Sequence, residues 1–118
     1  MLTLPYPPSA NRLWRIAAGR LVPTPHLTAW KSTCAALATM AGIRKRSGAL
    51  QAELILHPRA TRTGRASQIR LDLDNAIKAT FDALNGIAWT DDAQVVALTA
   101  CIGEPLPEGG VSITVEAA

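Results

Sequence analysis

All five aspartates of the chain, Asp72, Asp74, Asp82, Asp91 and Asp92, fall between residues 72 and 92. No acid precedes Glu53, and no Lys or Arg follows Lys78, which sits among the aspartates. A hard cation needs several carboxylate oxygens at one point. Mg²⁺, with Mn²⁺ as the alternative, takes few protein carboxylates and keeps waters in its shell. It can activate one of those waters and neutralise charge building on phosphate oxygens. Three carboxylates beside a lysine therefore suit hydrolysis of a phosphodiester, with Lys78 orienting the attacking water or stabilising the excess negative charge of the transition state.

The spacing sets conditions on that site. Asp72 and Asp74 point the same way in an extended backbone and diverge in a helix. They are expected at the strand-like start of a helix, where its positive pole also favours them, and Lys78 lies one turn further along. Adjacent residues of an extended chain face opposite sides, so one of Asp91 and Asp92 joins the cluster, and only if the strand they open neighbours that helix start. Taken singly, Asp72 reads as an N-cap, Asp74 and Lys78 as an i,i+4 pair, and Asp91 and Asp92 as turn residues. Those readings leave the confinement of every aspartate to one window unexplained. Asp82, two turns on, reads as a solvated helix residue.

No other chemistry competes. His26 and His57 have no Ser or Cys partner at a recognisable spacing, and there is no Walker loop or GxGxxG, so no small-molecule cofactor is expected. Cys34 and Cys101 lie in apolar surroundings without CxxC spacing and are expected to be buried thiols in a reducing cytoplasm.

The acids are set against a basic chain. Net charge is only +3, but residues 1–52 carry seven Lys or Arg and no acid. Such a field suits a polyanion, nucleic acid first and an anionic membrane surface second. Arg12 and Arg15 flank Trp14, which reads either as a core tryptophan or as an aromatic that stacks on bases while the arginines hold phosphates. Arg59, Arg62, Arg65 and Arg70 crowd the loop that leads into the aspartates, and guanidinium is well shaped for phosphate. No stretch is long enough to span a membrane, and the N-terminus lacks the pattern of a signal peptide.

The 118 residues, 48% hydrophobic and 18% charged, make a single domain spanning 1–118. Leu2 to Tyr6 reads as an edge strand, because Pro5, Pro7 and Pro8 lack amide donors. Asn11 to Val22, broken at Gly19, reads as a hairpin with a basic, aromatic tip. Apolar residues from Leu27 recur at helical spacing to about Ile43, where Arg44, Lys45 and Arg46 either complement the helix's negative pole or contact phosphate. Leu50 to His57 alternates as a strand with one covered face. A second helix spans about Leu73 to Leu84, stopped by Asn85 and Gly86 in left-handed conformations. Gln94–Ile102 and Val111–Glu116 read as strands joined in an antiparallel hairpin. The class expected is α+β, a mixed, largely antiparallel sheet of about five strands packed with two helices.

In that order and spacing, LPYPPSANRLWR, DLDNAIKATFDALNG and WTDDAQV resemble the RusA-type Holliday-junction resolvases of bacteria and phages. The motif DxDN, then Lys, Asp-Ala-Leu and Trp-x-Asp-Asp-x-Gln-Val is specific where a bare DxD is not. The resemblance implies a small homodimer that binds four-way junction DNA and, with Mg²⁺, nicks two strands symmetrically in recombination and repair. It places the metal-binding acids on Asp72, Asp74 and Asp92, and the essential lysine on Lys78. The arginines depart from the family's compact run immediately before DxDN, being spread from Arg59 to Arg70 with Gln68, Ile69 and Leu71 intervening before Asp72. Two other readings remain: a non-catalytic branched-DNA-binding protein, and a nuclease of broader branched-DNA specificity.

Overall fold

The computed structural model describes residues 1–8 and 14–118. In chain order the elements are β1 (Leu2–Leu4), β2 (Trp14–Ala17), β3 (Arg20–Pro23), α1 (Pro25–Met40), β4 (Leu50–His57), α2 (Leu73–Leu84), a 3-10 turn (Asp92–Gln94), β5 (Val95–Ile102) and β6 (Gly110–Ala117). Four strands form a mixed sheet in the order β1-β6-β4-β5, and β2 and β3 form a separate two-stranded ribbon. The α+β class and both helices agree with the sequence reading. The strands divide between two sheets where about five in one were expected.

Period-2 alternation places Leu50, Ala52, Leu54 and Leu56 in the core, while Gln51 and Glu53 face solvent. β4 runs antiparallel to β6 and parallel to β5. A parallel pair needs a long crossover, and α2 supplies it, lying against both β4 and β5. α2 also packs on α1, turning the small residues Ala76, Ala79, Thr80 and Ala83 inward.

The expected hairpin of the last two strands does not form, because β4 lies between β5 and β6. The connection wraps the end of β4: the Gly103 amide donates to the Leu56 carbonyl at 2.9 Å, and the Leu106 amide to that of Pro58 at 3.0 Å. A side chain at Gly103 would strike Ile55, and one at Gly109 would strike the Tyr6 ring. His57 clamps the same turn. Its Nδ1 donates to the Glu104 carbonyl at 2.8 Å, and its Nε2 meets Ser112 Oγ at 2.9 Å. The structure thus gives His57 a serine partner that sequence spacing did not reveal. Both residues are buried and both ring nitrogens are engaged, so the pair holds a turn in place.

α1 starts at Pro25 behind Thr24, whose hydroxyl accepts from the Leu27 amide at 3.3 Å. It stops at Met40, short of the expected Ile43. Gly42 (φ +81°) reverses the chain there, and the Ile43 amide returns to the Ala38 carbonyl. The backbone therefore caps α1, and the last turn holds no basic residue. Arg44, Lys45 and Arg46 stand exposed beyond it. At the end of α2, Gly86 takes the left-handed conformation (φ +80°) but Asn85 does not (φ −58°). Asn85 Oδ1 instead accepts from Trp89 Nε1 at 2.6 Å.

Cys34 is buried as expected, and burial pushes its thiol from 9.0 up to about 12. Cys101 is exposed, contrary to expectation, because β5 is the outermost strand of the sheet. At pH 8, iodoacetamide should label Cys101 alone, with Cys34 reacting only in denaturant; mass spectrometry reads the count. Because unfolding returns Cys34 to its ordinary value, its protonated thiol contributes stability that is lost as pH climbs from 9 towards 12. Thr80 Oγ1 is buried with no hydrogen-bond partner among the described residues. Thr80→Val should therefore stabilise the protein by about 1 kcal/mol, measured as a raised urea midpoint at unchanged m-value.

Candidate metal site and nucleic-acid surface

The extended start required for Asp72 is present. Asp72 takes φ −66°, ψ 145° at the N-cap position of α2, yet its side chain makes no capping hydrogen bond. Asp74 lies in the first helical turn, and Asp72, Asp74 and Lys78 are all exposed. The simple capping role for Asp72 is thus not taken up, and its carboxylate remains directed to the surface at the positive pole of α2. Lys78 Nζ sits 5.0 Å from the centre of the Trp14 ring, a cation–π contact.

Trp14 does not occupy the tip of the β2–β3 ribbon. It pairs with Pro23 at the base, while the turn is made by Ala18 (φ 52°) and Gly19 (φ 73°). Half-buried against the core, it offers its ring to the lysine. The exposed tip carries Arg20, with Arg15 along β2. Arg12 lies outside the described residues.

Tyr6 builds the region between the arginines and the aspartates, a part the sequence reading did not assign to it. Its hydroxyl accepts from the Leu71 amide at 2.6 Å, one residue before Asp72. Its ring lies beneath the Arg59 guanidinium, 4.4 Å from the centroid. Beyond Arg59 the loop folds on itself: the Ser67 amide reaches the Arg59 carbonyl at 2.8 Å, and the Thr61 amide the Arg65 carbonyl at 2.7 Å. Arg62 and Arg65 are exposed at this small hairpin, and Arg70 is exposed beside Leu71. The arginine loop and the start of α2 therefore share one end of the sheet, the end where β4 finishes. The only sequence signal for Tyr6 was a lone tyrosine in a proline-rich segment.

Asp91 and Asp92 lie elsewhere. Asp91 Oδ1 accepts from the Ala93 amide at 2.9 Å, and the Gln94 Oε1 accepts from the Thr90 and Asp91 amides at 2.9 and 3.2 Å. This capping box opens the 3-10 turn. Gln94 Nε2 then donates to the Arg46 and Gly48 carbonyls, each at 3.0 Å, tying the turn to the segment before β4. Asp91 is spent on the cap, whereas Asp92 makes no side-chain hydrogen bond to the described residues.

Register fixes the separation. Val95, just after the turn, pairs with Leu50 at the start of β4, whereas Tyr6, Arg59 and Leu71 gather at its finish. The 12 residues of α2 span the interval, about 18 Å at 1.5 Å per residue. Asp92 thus does not come alongside Asp72 and Asp74 within one chain, and among the described residues no three His, Cys, Asp or Glu side chains form a metal-ligating group. The strand that Asp92 precedes does neighbour α2, but it runs from the helix's far end. A groove of about 340 Å³ is lined by residues such as Met1, Ile43, Arg44 and Val115 and touches none of the predicted site residues. Among the described residues no helix is long and apolar enough to cross a membrane.

A family model for endodeoxyribonuclease RusA matches residues 5–116. The chain belongs to the RusA family, and its class of activity is that of a DNA-cleaving enzyme consistent with a Holliday-junction resolvase. Among curated proteins no significant match emerges.

Tyr6→Phe should leave the Leu71 amide unpaired, at a cost of about 1–3 kcal/mol in stability. Amide exchange at Leu71 should quicken while the β4 amides stay protected, which separates loosening of the helix start from general unfolding.

Proposed function

We propose that this protein is a Mg²⁺-dependent endonuclease that resolves four-way DNA junctions by paired, symmetric nicks in recombination and repair, acting as a homodimer. The observation that carries the reading is the family match over nearly the whole chain, joined to exposed Asp72, Asp74 and Lys78 beside an arginine loop. Two carboxylates at a helix start fit Mg²⁺, which commonly takes one or two from the protein and fills its shell with water and substrate oxygens. Asp72 and Asp74 would hold the ion; the family resemblance offers Asp92 as a third acid, although within one chain it stands at the far end of α2. When bound, the ion would supply a more acidic water and relief of charge on the phosphate.

The protein's own groups do the rest. Lys78, held by its contact with Trp14, places a positive charge one turn from the acids, where charge develops on the phosphate. Arg15, Arg59, Arg62, Arg65 and Arg70, with Arg12, bind backbone phosphates without reading sequence. Arg59 is steadied by the Tyr6 ring, so grip on DNA and placement of Asp72 run through one side chain.

The test is cleavage of a labelled synthetic four-way junction in Mg²⁺, beside linear duplex and flap substrates. Paired nicks on the junction are expected, with Asp74→Asn slowing them about 100-fold or more while junction binding survives. Tight binding without nicking in either Mg²⁺ or Mn²⁺ overturns the catalytic reading, and equal cleavage of flaps removes the junction selectivity. Arg62→Ala and Arg65→Ala should each weaken binding to every junction sequence alike and lower the slope of log affinity against log salt by about one.

A further inference from the structure

We infer that the groove between the finishing ends of α1 and α2 and the β1–β6 pair is a docking site for a partner protein, which it takes as a short acidic segment carrying bulky apolar residues beside its acids. The inference goes beyond the proposed nuclease activity and does not rest on it.

The groove, about 340 Å³, is lined by Leu84 and Ala88 at the end of α2, by Gly42 and Ile43 just beyond α1, and by Leu2 with its cross-strand partner Ile113. That volume lies at the small end of the roughly 300–1,000 Å³ of ligand clefts, with room for about one or two side chains. Leu2, Leu84, Ala88 and Ile113 belong to the core, so the floor is apolar core reached from outside. Met1 at the rim is 87% exposed, and Met40, two residues before Gly42, is 83% exposed. Flexible thioether side chains of this kind adapt to apolar partners. The rim itself is held by its backbone. Gly42 (φ +81°) turns the chain, the Ile43 amide donates to the Ala38 carbonyl at 3.0 Å, and the Arg46 amide donates to the Ala88 carbonyl at 3.0 Å. Gln94 Nε2 donates to the Arg46 carbonyl from the other side, also at 3.0 Å. A rim fixed in this way lowers the ordering cost of taking a ligand.

Charge decides the occupant. Arg44 and Arg46 line the groove, and no Asp or Glu does. Both arginines are exposed, and among the described residues neither forms an ion pair. Lys45 stands exposed between them, and no acid precedes Glu53, so the field at the rim favours an anion. An anion alone leaves the apolar floor unused. Duplex DNA offers phosphates to the rim, but its bases are stacked inside and its backbone carries no bulky apolar group to enter the groove. A peptide with Leu, Ile or Phe next to Asp or Glu supplies both parts, its apolar side chains on the floor and its carboxylates on the guanidiniums. The location agrees. The groove opens at the finish of α2, whereas Asp72 and Asp74 stand at the start of that helix with the arginine loop before them, so a docked segment leaves that end clear.

The probe is a fluorescein-labelled peptide, Gly-Asp-Glu-Phe-Leu-Glu-Asp, titrated with the full chain and followed by fluorescence anisotropy. Saturable binding is expected, falling as salt rises. It should weaken about tenfold in Arg44→Ala/Arg46→Ala, and about tenfold again when Phe-Leu of the peptide is replaced by Ser-Ser. Because both arginines are exposed, the double variant should keep the wild-type far-ultraviolet circular dichroism. On adding unlabelled peptide, amide chemical shifts should move at Ile43, Ala88 and Val115 and stay fixed at Arg62, Arg65 and Leu71. Absence of binding, binding indifferent to the two arginines or to the Phe-Leu replacement, or shifts confined to the arginine loop overturns the inference. If wild type ignores the peptide and the double variant instead loses affinity for four-way junction DNA, the rim is a DNA surface and the docking site falls. A protein that binds the peptide at the groove but cuts no DNA keeps the docking site and loses the nuclease reading.

Discussion

The hydrogen-bonded rise of α2 governs the layout of the acids, because 12 residues in a helix cannot be drawn together to bring their two ends to one point. The helix is fixed along the sheet by its small inner face and by its place as the crossover between parallel β4 and β5. Its two ends are anchored by different devices. At the start, the Tyr6 hydroxyl holds Leu71; at the finish, Asn85 and Gln94 bind Trp89 and the segment before β4. Neither anchor is part of the sheet, and each sets the direction of an aspartate that follows or precedes it.

Much of this was legible in the sequence, and the failures share a cause. The bounds of α2 and the alternation of β4 are local properties, set by period and by breakers such as Gly86, and both were read correctly. The pairing of the last two strands was not, although the pattern strand, helix, strand from Leu50 to Ile102 already favoured a parallel crossover. A short Pro/Gly connection reads as a hairpin turn, whereas Gly103 and Gly109 are needed to pass close to Ile55 and Tyr6. Cys101 was misplaced for the same reason, since whether an apolar strand is central or at an edge depends on pairing partners far away in the chain. Motif spacing brought Asp72, Asp74 and Asp92 together on one line of text. Only the register of β5 on β4 puts Asp92 at the other end of α2.

The same geometry clarifies which acid of the Asp91–Asp92 pair is available. Alternation in an extended chain says that one of them turns away, but cannot say which. The capping box answers from the backbone side: Asp91 is required by the Ala93 amide, while Gln94 closes the box and ties it to Arg46 and Gly48. Replacing Asp91 would open the turn that presents Asp92, so loss of function at Asp91 would not by itself mark a ligand. The basic residues divide in a similar way. The arginine loop stands at the start of α2, and Arg44, Lys45 and Arg46 stand beyond the end of α1, beside the segment that Gln94 holds.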